Sequence, residues 1–285
     1  MKKYNSYRRK KTTANVLSYA LLSVLSVVWI FPIAWVIMTS FRGEGGSYAP
    51  YFFPKEWTLN NYKQLFTDTS QFYFGKWFMN TLFVAICSCL LSTFFVLGIS
   101  YTMSRLRFKM RKPFMNLALI LGMFPGFMSM IAVYYILKGI NLTQSLLALI
   151  LVYSGGAGLG FYIAKGFFDT IPKAIDEAAW IDGASKWKVF TRITIPLSKP
   201  IIVYTVLTSF IAPWVDYIFA SVIMGDKYNN YTVALGLYKM LEREFIYNWY
   251  TKFAAGAVLV SIPLAILFIF MQKYYVEGVS GAVKG

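Results

Sequence analysis

Along the chain, long apolar stretches alternate with short segments of charged and turn-forming residues. Six of the stretches, Val16–Met38, Met79–Met103, Phe114–Leu137, Ser145–Phe168, Ile201–Met224 and Phe253–Gln272, are long enough to cross a bilayer. A hydrocarbon core of ~30 Å takes ~20 helical residues at a rise of ~1.5 Å each. Backbone polar groups in lipid must pair internally, so the stretches are predicted as helices. Spanning β-strands would instead alternate apolar and polar positions over ~10 residues, and runs such as Leu146–Val152 do not alternate. The expected fold class is an all-α integral membrane protein with six transmembrane helices. Residues 1–15 read as a basic tail, 16–272 as the membrane domain including a loop at 169–200, and 273–285 as a second tail, of which Tyr274–Gly285, with three glycines, is expected to extend rather than form a stable helix.

The connecting segments differ in character. The segment 39–78 carries Gly43, Gly45, Gly46, Pro50 and Pro54, then the polar run Thr58–Leu65 and an aromatic run Phe72–Phe78. It reads as an ordered cap with Trp57 and Trp77 at the membrane interface. Ser104–Lys112 and Lys138–Gln144 are short links. Gly155, Gly156, Gly158 and Gly160 in the fourth stretch fail the spacing of a nucleotide loop. Gly156 and Gly160 form a small-x-x-x-small pair suited to close helix packing. The first apolar run lacks a small-residue cleavage site and reads as a retained helix rather than a signal peptide.

Composition reinforces the membrane assignment: 58% of residues are hydrophobic and only 14% charged, against roughly 25% charged in soluble domains. The net charge of +16 raises nucleic acid as a partner, but the placement of the 28 Lys and Arg residues argues otherwise. With the N-terminus inside, 18 fall in inside segments and nine in outside segments, with Lys165 at the inner end of the fourth stretch, although the outside segments include the long loops 39–78 and 225–252. That bias puts both termini in the cytoplasm and makes the charge topogenic, with attraction of Lys2–Lys11 to anionic membrane lipid as a secondary effect. No nucleic-acid partner is expected. Cys87 and Cys89, on one helix and pointing apart, read as structural. The absence of histidine excludes a Ser-His-Asp triad, a His-ligated zinc site and a His proton relay. No metal site is expected.

The longest inside loop, Asp169–Pro200, is itself patterned. Pro172 suits a first helical turn, Asp176 and Glu177 lie where the helix dipole favours anions, and Gly183 is a stop signal. Ile175, Ala178, Ala179 and Ile181 form a slim ridge with Glu177 on or near it. After Gly183, a second helix starting near Ser185 runs through Ile193 and Ile195 to Pro196, which ends it. The pattern fits a solvent-exposed connector as well as a ridge for a groove on another protein.

Glu177, Ala178, Ala179, Gly183, Ile193, Ile195 and Pro196 resemble the EAA-x3-G-x9-I-x-L-P motif of binding-protein-dependent ABC importer permeases, with Ile195 in the Leu position. Asn60-Asn61-Tyr62, Asn80-Thr81-Leu82, Ser104-Arg105-Leu106-Arg107-Phe108 and Trp214-x-Asp216-Tyr217 resemble the carbohydrate branch. Val276–Gly285 is similar to the tail of MalG-type subunits of maltose and maltodextrin importers. Val215 and Ala220 depart from the Asn and Pro common in the fifth-span signature.

The resemblance implies a type I importer fold in which the EAA helix couples to a cytoplasmic ATPase. It implies two ATPase subunits, a second homologous, MalF-like permease, an extracellular solute-binding protein and a sugar substrate, with maltodextrin favoured. No G-x4-G-K-[ST] loop is present, so ATP and Mg would belong to the partner ATPases and this chain would have no cofactor of its own. Glu177 would pair with a basic group of the ATPase, and Ala178, Ala179 and Gly183 would matter by being small. The tail residues Val283, Lys284 and Gly285 would reach between the ATPase subunits. By the same resemblance, Tyr238, Leu241 and Glu242 would contact the binding protein, from an amphipathic prong at 238–245.

Asp216 is the only acidic residue inside a predicted span, which makes it a candidate for the sugar path by default. Pairing with a neighbouring helix is the other reading. Trp214 and Tyr217 suit stacking on a pyranose ring, or simple packing. An ion-driven carrier would show more intramembrane ionisable groups, and a membrane enzyme would need a catalytic constellation that no span carries. The expected location is a bacterial plasma membrane, and the Lys-, Asn- and aromatic-rich composition hints at a Gram-positive source.

Overall fold

The computed structural model describes residues 2–46, 49–156 and 160–282, with side chains between 12 and 274 in those ranges. The described residues are helical with no strand beyond an isolated bridge between Arg42 and Trp57. The chain divides into two compact units, residues 1–68 with 240–259, and 69–239 with 260–285.

The first unit contains α1 (Lys2–Ser40), α2 (Asn60–Thr67) and the start of the last helix. The apolar part of α1, Thr12–Ser40, spans 29 residues and is exposed over most of its length. The loop after it is ordered by polar groups that reach back along the chain. Asn61 donates to the Ser40 and Arg42 carbonyls at 3.0 and 2.8 Å and accepts from Thr251 at 3.0 Å. Arg42 is buried, donates to the Tyr51 carbonyl and lies 4.9 Å from the Tyr51 ring centroid. Glu44 accepts from the backbone amides of Lys55 and Glu56.

The second unit is organised by α3 (Phe74–Arg105), a 32-residue helix about 48 Å long at ~1.5 Å per residue. Its buried face carries Thr81, Val84, Ala85, Ser88, Ser92, Val96, Ser100 and Ser104, a mostly i, i+4 ridge of small residues that lets other helices approach closely. Serine hydroxyls on this ridge bond to helix carbonyls, as Ser100 does to Phe161 at 3.0 Å. The following helices are α4 (Arg111–Gly122), α5 (Gly126–Gly139), α6 (Leu146–Gly156) and α7 (Gly160–Thr170). Gly156 has no atom within 4 Å of where a Cβ would lie, and Gly160 would make only an ordinary contact with Val96. Among the described residues the small-x-x-x-small pair therefore makes no close approach.

Four expectations are corrected here. The third stretch is not one straight helix: α4 and α5 meet at 103°, because Pro125 lacks an N–H and disfavours helical geometry at Phe124. The fifth stretch begins at Lys199 and breaks, giving α11 (Lys199–Val215) and α12 (Ile218–Met224), with Asp216 in extended geometry between them. Trp77 is fully buried rather than interfacial, its indole donating to the Tyr228 carbonyl at 2.7 Å. After α13 (Val233–Lys239), residues 240–245 form turns, and α14 (Ile246–Ala282) follows. The tail expected to extend from Tyr274 is therefore helical through Ala282, since Gly278 and Gly281 weaken a helix without barring it. Counting each bent pair as one span, the described helices supply six candidate spans.

Candidate functional site

The 169–200 loop forms two helical segments joined by a tight turn. The first, α8 (Lys173–Ile181), starts after Pro172, which occupies the N-cap rather than the first turn. It ends in a Schellman motif: Ala184 N–H bonds to the Ala179 carbonyl at 2.9 Å and Gly183 N–H to that of Trp180 at 3.0 Å. Gly183 has φ of +80°, a conformation that costs an ordinary L-residue ~1–2 kcal/mol. The second segment is α9 (Lys186–Val189), a π-helical stretch over Phe190–Thr194 and α10 (Ile195–Leu197). Ser185 caps it by accepting from Lys188 N–H at 3.2 Å. Pro196 lies inside α10 and the helix continues to Leu197, one residue beyond the expected stop; an 80° bend into α11 follows. Ile193 and Ile195 are half-buried and Pro196 is exposed.

Two faces of α8 do different work. Asp176 and Ala179 point inward, while Glu177, Ala178 and Ile181 are exposed, Ile181 to 87%. Ala179 thus belongs to the docked face, which corrects its place on the ridge. The inward face is held by Arg105 at the end of α3. Its Nε lies 3.0 Å from Asp176 Oδ2, with both side chains at most 3% exposed. The Arg105 Nη2 also donates to the Phe168 and Ile171 carbonyls, each at 2.9 Å. Ser104 donates to Asp169 at 2.6 Å. The second segment is gripped one turn earlier on α3, where the Tyr101 hydroxyl donates to the Lys186 carbonyl and its ring lies 4.6 Å from that of Phe190. Both segments are therefore anchored to the same end of one long helix. Sequence reasoning missed this clamp: Arg105 and Asp176 were each visible in a motif or a first turn, but nothing local says that they meet.

The motif glycine acts through its backbone. Among the described residues an added Cβ at Gly183 meets nothing within 4 Å, so within this chain the position is set by its positive φ rather than by a methyl-sized clash. Gly183→Leu is expected to carry the ~1–2 kcal/mol cost of positive φ and to lower uptake in reconstituted vesicles. Gly183→Asn, which tolerates that geometry, is expected to keep most of it. Equal loss in both variants would mean that side-chain bulk, not backbone conformation, is what this position forbids.

The fifth-span residues are engaged by the protein itself. Asp216 Oδ2 accepts from the Tyr153 hydroxyl at 2.7 Å and Oδ1 from Phe219 N–H at 3.0 Å, so the carboxylate braces the break between α11 and α12. Trp214 is 2% exposed and packs edge-on against Phe78 at 5.2 Å, in line with the packing reading rather than stacking on a sugar. Tyr217 lies 4.0 Å from Tyr238, centroid to centroid, and Tyr238 remains 48% exposed. Leu241 and Glu242 are half-buried in the turns after α13. The calls on Val283, Lys284 and Gly285 lie outside the described residues. Among the described residues no cluster of His, Cys, Asp or Glu could hold a metal ion.

The described helices form a multi-pass membrane architecture with the 169–200 loop clamped to the end of α3, and comparison with known proteins shows that it is that of a transport subunit. The family model for the binding-protein-dependent transport system inner membrane component matches residues 95–281. The galactooligosaccharides transport system permease protein GanQ of Bacillus subtilis is 35% identical over 270 residues, covering 94% of this chain and 95% of that protein. The maltodextrin transport system permease protein MalD of Streptococcus pneumoniae is 33% identical over 283 residues, covering 99% of each. A bacterial ABC transporter involved in the import of alginate shares the fold, with a TM-score of 0.77 at 21% identity over 94% of this chain and 98% of that one. The chain belongs to the binding-protein-dependent ABC importer permeases and is a multi-pass protein of the cell membrane.

Proposed function

We propose that this chain is one of two permease subunits of an ATP-driven oligosaccharide importer, and that the exposed face of α8 is its contact with a cytoplasmic ATPase. The observation that carries the reading is the division of α8 into a face locked to α3 and a face left free. A lever must be rigidly attached on one side and available on the other. Glu177 and Ala178 occupy the free face, where a carboxylate can form a charge-assisted bond of roughly 1.5–3 kcal/mol with a basic partner. Force on α8 and α9 would travel along α3 over about 36–42 Å, at ~1.5 Å per residue from Arg105, to Trp77, Asn80 and Thr81. Those three side chains bond to the backbone of Tyr228, Asn229, Tyr231 and Val233.

In this reading ATP and Mg bind the ATPase subunits, and this chain needs no cofactor. A MalF-like permease completes the pathway, and residues 283–285 meet the ATPases. Tyr238, Leu241 and Glu242 face a solute-binding protein, and Tyr217 with Tyr238 offers aromatic surface near the sugar path. Asp216 acts on that path by holding the α11–α12 break. The host membrane is that of a Gram-positive bacterium. Maltodextrin is the favoured substrate, supported by the likeness to MalD and by the MalG-like tail. A galacto-oligosaccharide is the second reading, favoured by the 35% identity to GanQ.

Uptake of labelled oligosaccharides into vesicles holding the assembled transporter tests this. Flux should require ATP and the binding protein, ignore proton and sodium gradients, and fall partially in Glu177→Ala. Flux driven by an ion gradient without ATP would overturn the proposal. A binding panel on the cognate binding protein separates α-glucans from galactosides.

A further inference from the structure

Between the end of α3 and the first turns of α8 lies a cleft of about 430 Å³. Five cationic side chains line it: Arg105, Arg107, Arg111, Lys173 and Lys186. Asp176 and Glu177 are its acids, so the lining carries a surplus of three positive charges. Positive-inside bias accounts for basic residues near a membrane end, but it does not account for their convergence on one cavity or for what lies at its back. There the Arg105 guanidinium uses Nη2 on two carbonyls and holds Nε 3.0 Å from Asp176 Oδ2 as an ion pair, while neither Nε nor Nη1 makes a hydrogen bond. Asp176 Oδ1 is likewise buried and unpartnered. Buried polar atoms of native proteins are ordinarily satisfied, and buried charges above all. A spare donor and a spare acceptor on neighbouring buried groups therefore define the chemistry that would complete them.

We infer that this cleft binds a phosphate ester that carries a free hydroxyl. An anionic oxygen accepts from Arg105 Nη1, the hydroxyl donates to Asp176 Oδ1, and Arg107, Arg111, Lys173 and Lys186 neutralise the remaining charge. The apolar lining, Leu106 and Trp180, and the position at the basic end of α3 favour a glycerol-type anionic phospholipid headgroup over a soluble ester. Because the lining comes from α8, from Lys186 of the second segment and from the α3–α4 link, an occupant holds the loop against α3. Occupancy would thus be a second support for the loop beside the Arg105–Asp176 pair, independent of which sugar is carried.

The test uses the assembled transporter in nanodiscs of phosphatidylcholine alone or mixed with phosphatidylglycerol, followed by native mass spectrometry of retained lipid. Phosphatidylglycerol should be retained and phosphatidylcholine not. The double variant Arg107→Gln/Lys186→Gln, which leaves Arg105 and Asp176 in place, should retain it about tenfold or more weakly, as expected for losing two basic contacts to an anionic headgroup. Displacement by millimolar glycerol 3-phosphate would support the chemistry and assign the site to a soluble ester. Equal retention by wild type and variant would overturn the inference. So would release of the ATPase subunits from the variant with lipid retention unchanged, since the cleft would then be part of a protein–protein contact.

Discussion

Replacing Gly236 by alanine is expected to be among the most damaging single-methyl additions in this chain. A Cβ there would lie 1.9 Å from Trp77 Cε3, 2.2 Å from Cζ3 and 2.7 Å from Cδ2, far inside van der Waals contact. The obstacle is the body of a rigid ring, not the end of a flexible side chain. Trp77 is fully buried, is tied to the Tyr228 carbonyl and has Phe72 and Tyr231 as ring neighbours at 5.9 and 6.0 Å. Overpacking of this kind typically costs ~1–3 kcal/mol and occasionally more. At ~3 kcal/mol the melting temperature of the purified protein should fall by about 10 °C. Gly98→Ala and Gly126→Ala, where no atom lies within 4 Å, should leave it unchanged. Trp77→Phe removes the part of the indole that collides, so the double variant should recover part of the loss despite the missing indole bond. A Gly236→Ala protein as stable as wild type would show that α3 and α13 do not pack as described.

The second large effect is expected at the loop clamp. Arg105→Met leaves the Asp176 carboxylate buried without its counter-charge and removes the donor to two carbonyls. Breaking one partner out of a buried pair typically costs ~3–5 kcal/mol. Because the pair joins a loop helix to α3, the expected consequence is undocking of α8 with the membrane spans intact. Uptake should be lost, and proteolysis within 169–185 should quicken, while insertion and amount of protein stay normal. Asp176→Asn keeps an acceptor and should be milder. Arg105→Met combined with Asp176→Leu should recover part of the stability, since an apolar pair can replace a buried ion pair at little cost. Transport at the wild-type rate in Arg105→Met would remove the clamp from the coupling mechanism.

These two positions also mark where linear reading stops. The six spans were legible because transfer into lipid is close to a sum over consecutive residues, so a window of apolar side chains is itself the physical cause of a helix there. The turn at Gly183 was legible for a similar reason: only glycine adopts positive φ freely, and the residues around it carry helix-start and helix-stop chemistry. The family was legible from the defined positions between Glu177 and Pro196, because the motif fixes residue types at set spacings within one continuous segment. The 103° bend was less so: Pro125 signalled a break, but its angle depends on how α4 and α5 pack.

What the tertiary structure alone decided concerns groups far apart in the chain. Arg105 and Asp176 looked like a topogenic charge and a dipole-favoured anion, and only folding brings them 3.0 Å apart. Trp77 read as an interfacial aromatic until Gly236, 159 positions later in the numbering, proved to be its packing partner. Asp216 was open between path and brace, and the Tyr153 hydroxyl at 2.7 Å makes it a brace in this structure. The physical reason is common to all three. Hydropathy and helix periodicity report what each side chain gains on leaving water, whereas a buried ion pair, a ring against a glycine or a bridging hydrogen bond depends on which surfaces the helices present to one another.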